Sequence, residues 1–150
     1  MNRPKKRYYF IFYAALVLLS GCVGKHQVGD ELNGEWQLLH VEADGEVYPD
    51  DRKKDIHVRI NDQGFKVIRE GQYPIFLGKF LHEEMFYPKH LDIWLAGDDD
   101  AGIKRKGIYR LKGDTLEACF SPPGAYRPAY FETRRGSKQI LSIWVRIKNK

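Results

Sequence analysis

Apolar and polar residues alternate with period two in five segments of this chain, and that pattern constrains the fold more than any other feature. Trp36 and Leu38 flank Gln37, and Ile56, Val58 and Ile60 enclose His57 and Arg59. Leu91, Ile93 and Leu95 enclose Asp92 and Trp94, and Leu116, Ala118 and Phe120 enclose Glu117 and Cys119. Leu141, Ile143, Val145 and Ile147 alternate with Ser142, Trp144, Arg146 and Lys148. Successive side chains of a strand point to opposite faces, so such alternation reads as half-buried antiparallel strand. Turn chemistry separates the segments: Asp44-Gly45, Asp62-Gln63-Gly64, Gly97-Asp98, Lys112-Gly113-Asp114 and Arg135-Gly136-Ser137. About eight strands at that spacing predict a mainly β fold, either a sandwich or an up-and-down barrel. Two places could hold a helix: Pro49 to Asp55, and Phe76 to Phe86, where strand fits equally well.

The N-terminus has a different design. Arg3, Lys5, Lys6 and Arg7 precede an unbroken apolar or aromatic run from Tyr8 to Leu19, followed by Ser20-Gly21-Cys22. The run is 12 residues, short of the roughly 20 that a membrane-spanning helix needs. A basic start, a short apolar core, small residues and then cysteine is the layout of a bacterial lipoprotein signal. Residues 1–21 are thus expected to be a signal peptide, and residues 22–31 an acylated Cys22 and a polar tether. Residues 32–150 form one domain. The expected location is exported and membrane-anchored. Val23 is not the aspartate that retains lipoproteins at the inner membrane, which favours the outer membrane if the envelope is Gram-negative.

The signal also settles a question of charge. The chain carries +5, but its first 21 residues hold four cations and no acid, which leaves +1 on the remainder. A nucleic-acid partner is not expected from so small a balance. The densest basic run near the start of the domain, Arg52-Lys53-Lys54, is flanked by Asp50, Asp51 and Asp55 and reads as a solvated loop. Of the two cysteines, an acylated Cys22 cannot pair, so Cys119 is expected as a lone thiol in a fold without disulfides.

The segment from Gly107 to Phe131 carries a denser signature: Gly107, Tyr109, Leu111, Gly113, Asp114, Leu116, Cys119, Phe120, Pro122, Pro123, Gly124, Arg127, Pro128 and Phe131. This spacing closely resembles the hallmark of a planctomycete-type, lipocalin-like domain family, G-x-Y-x-L-x-G-D-x-L-x-x-C-F-x-P-P-G-x-x-R-P-x-x-F. Leu32-Asn33-Gly34-Glu35-Trp36 with Asp44-Gly45 looks like that family's opening element, and the likeness spans roughly residues 32–147. Pro74 to His90, unusually aromatic, fits it less well. The resemblance implies a calyx-type antiparallel β-barrel of about eight strands and implies no reaction. Gly34-x-Trp36 also resembles the first strand of true lipocalins, in which an indole closes the barrel floor beneath an arginine of the last strand. Arg146 is placed for that structural part.

Each candidate site has a competing structural reading. Cys119 could face a cavity as a reactive thiol, or pack as a small buried residue under the Pro122-Pro123-Gly124 loop. Arg127, in a proline-stiffened loop, could clamp an anion, tie the loop to Asp114 or Glu117, or stack on Tyr126 or Tyr130. Asp98-Asp99-Asp100 lacks calcium-loop spacing and reads as an acidic hairpin tip. The five histidines, His26, His40, His57, His82 and His90, form no zinc motif, so no metal and no cofactor is expected. The aromatic supply from Tyr73 to Trp144 fits a ligand cup or an exposed patch, and equally a barrel filled by side chains.

The chain is therefore read as an anchored lipoprotein that is not an enzyme and binds a small amphipathic ligand. The pocket is expected to be lined from Tyr109, Cys119, Arg127 and Phe131, with Trp36 and Arg146 closing the floor. The alternative is a structural or inhibitory envelope module that presents its Pro122–Pro128 loop to a protein partner.

Overall fold

The computed structural model describes residues 31–96 and 102–148. Cys22, the signal segment and the Asp98–Asp100 tip lie outside the described residues. The strands are β1 (Gly34–Ala43), β2 (Glu46–Val47), β3 (Ile56–Asn61), β4 (Gly64–Arg69) and β5 (Pro74–Glu83), then β6 (Lys89–Ala96), β7 (Lys104–Lys112), β8 (Thr115–Phe120) and β9 (Ile140–Arg146). Each of β3 to β9 pairs antiparallel with its sequence neighbour, β1 pairs with β3, and β1 also pairs with β9. Eight strands thus close into an up-and-down barrel, with β2 as a short flap on the end of β1. Closure removes the sheet edges that would otherwise stand open to pairing.

Three of the expected turns join strands as read, Arg135-Gly136-Ser137 turns within the long connection that precedes Ile140, and Gly97-Asp98 lies outside the described residues. Pro49 to Asp55 contributes a single 3₁₀ turn, Asp50–Arg52. Phe76 to Phe86 resolves as strand over most of its length, because β5 completes the wall between β4 and β6. Two irregularities shift the pleat, one in β1 and one in β5 opposite Val67 and Ile68. In β1 the register slips between Leu38 and His40, so Trp36 and Leu38 face inward, Leu39 is exposed, and Val41 and Ala43 face inward again. A bulge of this kind re-aims the side chains beyond it. In β9 the inward phase is Ile140, Ser142 and Trp144. The more apolar phase (Leu141, Ile143, Val145) faces out, with Leu141 buried under an external strap.

The barrel has two apolar regions. Leu32, Trp36, Val58, Leu91, Tyr109, Leu116 and Ala118 form one cluster inside the barrel. On the outer face, Ile108, Cys119 and Leu141 pack beneath Phe131, which lies in the long connection 121–139 between β8 and β9. Leu32 is fully buried, and the backbone carbonyl of Glu31 accepts a hydrogen bond from Arg146. The domain therefore includes Glu31, one residue ahead of the boundary expected at Leu32.

Candidate functional site: the floor, the strap and the cup

The floor is built where the first and last strands meet, with Trp36 opposite Arg146 in the register. Trp36 is wholly buried, and its Nε1–H donates to the Leu32 carbonyl at 2.9 Å. The Arg146 guanidinium lies 3.9 Å from the indole centroid and donates to the carbonyls of Asn33 and Glu31, each at 2.6 Å. Gly34 makes room for it. A Cβ there would stand 2.7 Å from Arg146 Nη1, and the backbone φ of +136° is one that side-chain-bearing residues rarely adopt. The Gly-x-Trp spacing is thus a steric requirement of the plug.

Tyr109 joins this floor. Its hydroxyl donates to Glu31 Oε1 at 2.7 Å, and Lys89 Nζ donates to the same carboxylate at 2.8 Å. Burial, then the Glu31 hydrogen bond and charge, push the phenol well above its ordinary range. Burial alone would raise Glu31, but hydrogen bonds from Lys89 and Tyr109, with the Lys89 charge, outweigh it and hold the carboxyl low. Glu31, His82 and Glu84 converge within 4.8 Å of one another, a grouping that sequence spacing did not reveal. The Glu31 carboxylate is already held there by the Lys89 ammonium and the Tyr109 phenol.

The segment expected to line the pocket forms a strap across the outside of the barrel. Cys119 is fully buried against it, with Sγ 3.6 Å from the Glu132 carbonyl. Phe131 covers the same small cluster and lies under the Arg110 guanidinium, 4.4 Å from its ring centroid. Arg127 reaches neither Asp114 nor Glu117. It donates to Asp92 Oδ1 and to the Gly107 carbonyl, both at 2.5 Å. Lys104 completes the site, 2.8 Å from the other Asp92 oxygen. The pocket lining is thereby corrected: Cys119, Arg127 and Phe131 lie outside the barrel wall, and Tyr109 belongs to the floor beneath the cavity. Alternation of the pleat accounts for this, because Cys119 falls in the opposite phase to Leu116, Ala118 and Phe120.

Burial pushes the Cys119 thiol up to about 11, with the charges of Glu117, Glu132 and Glu42 adding to the effect and the Glu132 carbonyl opposing it. A protonated, enclosed thiol is a poor nucleophile. Iodoacetamide at neutral pH should leave Cys119 unlabelled in the folded protein and modify it in urea, as read by intact mass. Rapid labelling of the folded state would contradict this packing.

Above the floor the interior is open. A cavity of about 790 Å³ extends from Leu32 to the far end of the barrel, within the roughly 300–1,000 Å³ of small-molecule sites. Its walls include Phe65, Phe76, Phe80, Phe120 and Trp144 among Val, Ile and Leu side chains. Trp144 spends its Nε1–H on Ser142 Oγ at 2.9 Å, so its indole contributes an apolar face. The aromatic supply therefore divides: part lines the cup, while Tyr73, Tyr87, Tyr126 and Tyr130 are exposed at separate places.

Three cations also line the cavity: Lys53, Arg69 and Arg105. They sit at the end of the barrel opposite Trp36. Lys53 precedes β3, Arg69 ends β4 and Arg105 is the second residue of β7. Lys53 is buried, with its ammonium 2.8 Å from the exposed Asp50 carboxylate. It does not sit in the solvated loop expected from the charge pattern. Sequence reasoning missed all three. For the arginines a signal was available: Arg69 is in phase with the inward Phe65 and Val67, and Arg105 with Tyr109 and Leu111. Lys53 carries no periodic signal.

In comparisons with known proteins, no family model, no curated protein and no solved structure matches the chain.

Proposed function

We propose that this chain is an exported lipoprotein, acylated at Cys22, whose lipocalin-like barrel holds a small amphipathic ligand and performs no catalysis. The cavity carries this reading: an apolar cup closed below by Trp36 and polar at its mouth. The basic start, short apolar run and Ser20-Gly21-Cys22 support the anchor, and the Gly107–Phe131 spacing supports the family resemblance. The chain enters the barrel at Glu31, on the closed end, so a tether from Cys22 would leave the mouth at the end away from its attachment. Cys119, the candidate nucleophile, is enclosed under the strap and favours binding over covalent chemistry.

The test has two arms. In cells, Cys22→Ser should move the protein from the membrane to the soluble fraction; retention at the membrane would remove the anchor. In solution, the mature chain from residue 22 with Cys22→Ser should enhance the fluorescence of N-phenyl-1-naphthylamine, a neutral apolar probe. Val67→Trp, in the cup wall, should abolish that enhancement while the protein stays folded by circular dichroism. A probe signal unchanged by Val67→Trp would place binding elsewhere.

A further inference from the structure

The charges that line the cup are all of one sign. Lys53, Arg69 and Arg105 face a cavity that, among the described residues, no aspartate or glutamate lines. Lys53 is shared with Asp50, but neither arginine is paired with a carboxylate among the described residues. A cation beside an apolar cavity is costly unless an opposite charge meets it. The rest of the wall offers a ligand only apolar surface, Tyr48 and Ser142.

The cations are also confined to one end. The lower cavity, from Leu32, Val58 and Leu91 upward, is apolar, and the two arginines stand at the mouth on β4 and β7. Guanidinium groups can grip carboxylate or phosphate oxygens in pairs, which an ammonium cannot. Both arginines are half-buried, so water weakens such a contact less than on an open surface.

We infer that the cup's ligand is a single-chain amphiphile with an anionic head, its tail on the floor and its carboxylate or phosphate between Arg69 and Arg105 at the mouth. This rests on the cup reading above and narrows it to a class of ligand.

The experiment uses the mature Cys22→Ser chain loaded with N-phenyl-1-naphthylamine. The probe is displaced by four ligands sharing a dodecyl tail: dodecanoate, dodecyl phosphate, dodecanol and dodecyltrimethylammonium. The anions should displace the probe at about tenfold lower concentration than dodecanol, and the ammonium should be the weakest. Whichever anion is tighter assigns the head as carboxylate or phosphate. In the Arg69→Gln/Arg105→Gln variant, the gap between anion and alcohol should shrink to about twofold, with dodecanol itself unchanged. Equal displacement by all four in the parent protein would overturn the anionic head and leave the cup standing. A preference that survives the double substitution would overturn the role of the two arginines. Failure of the probe and of every amphiphile to bind would end both readings.

Discussion

Trp36→Ala should be among the most damaging single substitutions in this barrel, with a loss of about 3–5 kcal/mol, the usual range for removing a large buried aromatic side chain. Three consequences combine. The indole is wholly buried in the floor cluster with Leu32, Tyr109 and Leu116, so its removal leaves a void. The Leu32 carbonyl loses its donor, and the Arg146 guanidinium loses the ring over which it lies. A single domain is stable by only about 5–15 kcal/mol, so the loss approaches the whole for a protein at the lower end. Urea denaturation followed by circular dichroism reads it directly, as a midpoint lowered by roughly 2 M. Trp36→Phe should cost less, because it keeps most of the apolar volume and forfeits chiefly the Leu32 hydrogen bond. Arg146→Met keeps the packing and removes the cation, an interaction worth about 0.5–2 kcal/mol, along with two bonds to backbone carbonyls. A Trp36→Ala protein within about 1 kcal/mol of its parent would show that the floor is not the core.

Part of the floor was legible because the Gly34-x-Trp36 mark by which it resembles a lipocalin first strand is local, whereas Glu31 and Tyr109 were not placed in it. Gly34 and Trp36 are two residues apart, and Arg146 lies in the last alternating segment. The barrel was legible for the same reason, since pleat and turn each declare themselves within a few residues. The cup was not. Whether side chains fill a barrel depends on the sum of inward volumes around eight strands, and two register shifts in β1 and β5 change which residues contribute. The cations at the mouth were not legible because Lys and Arg side chains usually face solvent. The Pro122–Phe131 segment misled for another reason. Its density of special residues suggested a binding loop, yet those residues hold a strap to the outer wall. Gly107 illustrates the constraint: a Cβ there would lie 2.4 Å from the Phe120 ring, so the motif's first glycine admits an inward aromatic of the neighbouring strand.

The division of labour that results is spatial. One end of the barrel is occupied by Trp36, Arg146, Tyr109 and Glu31, whose polar atoms are engaged with one another and with the backbone. The opposite end keeps its interior free and gathers positive charge. The strap covers Ile108, Cys119 and Leu141 on the outer wall, while at the cup mouth apolar surface meets two arginines that have no carboxylate partner among the described residues.

The strap's own security depends on Asp92, and Asp92→Asn should cost about 3 kcal/mol. Removing one member of a buried ion pair typically costs about 3–5 kcal/mol, because the partner is left uncompensated. The lower figure applies here, since Lys104 is 41% exposed and water can take over part of its solvation. Arg127 is more enclosed, at 21% exposure, and would keep only the Gly107 carbonyl. The same site sets an acid limit. Burial alone would raise the Asp92 carboxyl, but hydrogen bonds from Arg127 and Lys104, together with their charges, outweigh it and hold the group below its ordinary value. A carboxyl depressed in the folded state stabilises the fold above its unfolded pKa of about 3.9. That contribution disappears as pH falls through the lower folded value. The parent protein should therefore lose stability as pH falls below about 4, and Asp92→Asn, already lacking the contribution, should show a flatter acid limb from a lower plateau. Thermal melts of both proteins across that range decide the matter. Parallel acid limbs would mean that another carboxylate sets the limit, and a plateau unchanged by the substitution would mean that Arg127 does not hold the strap through Asp92.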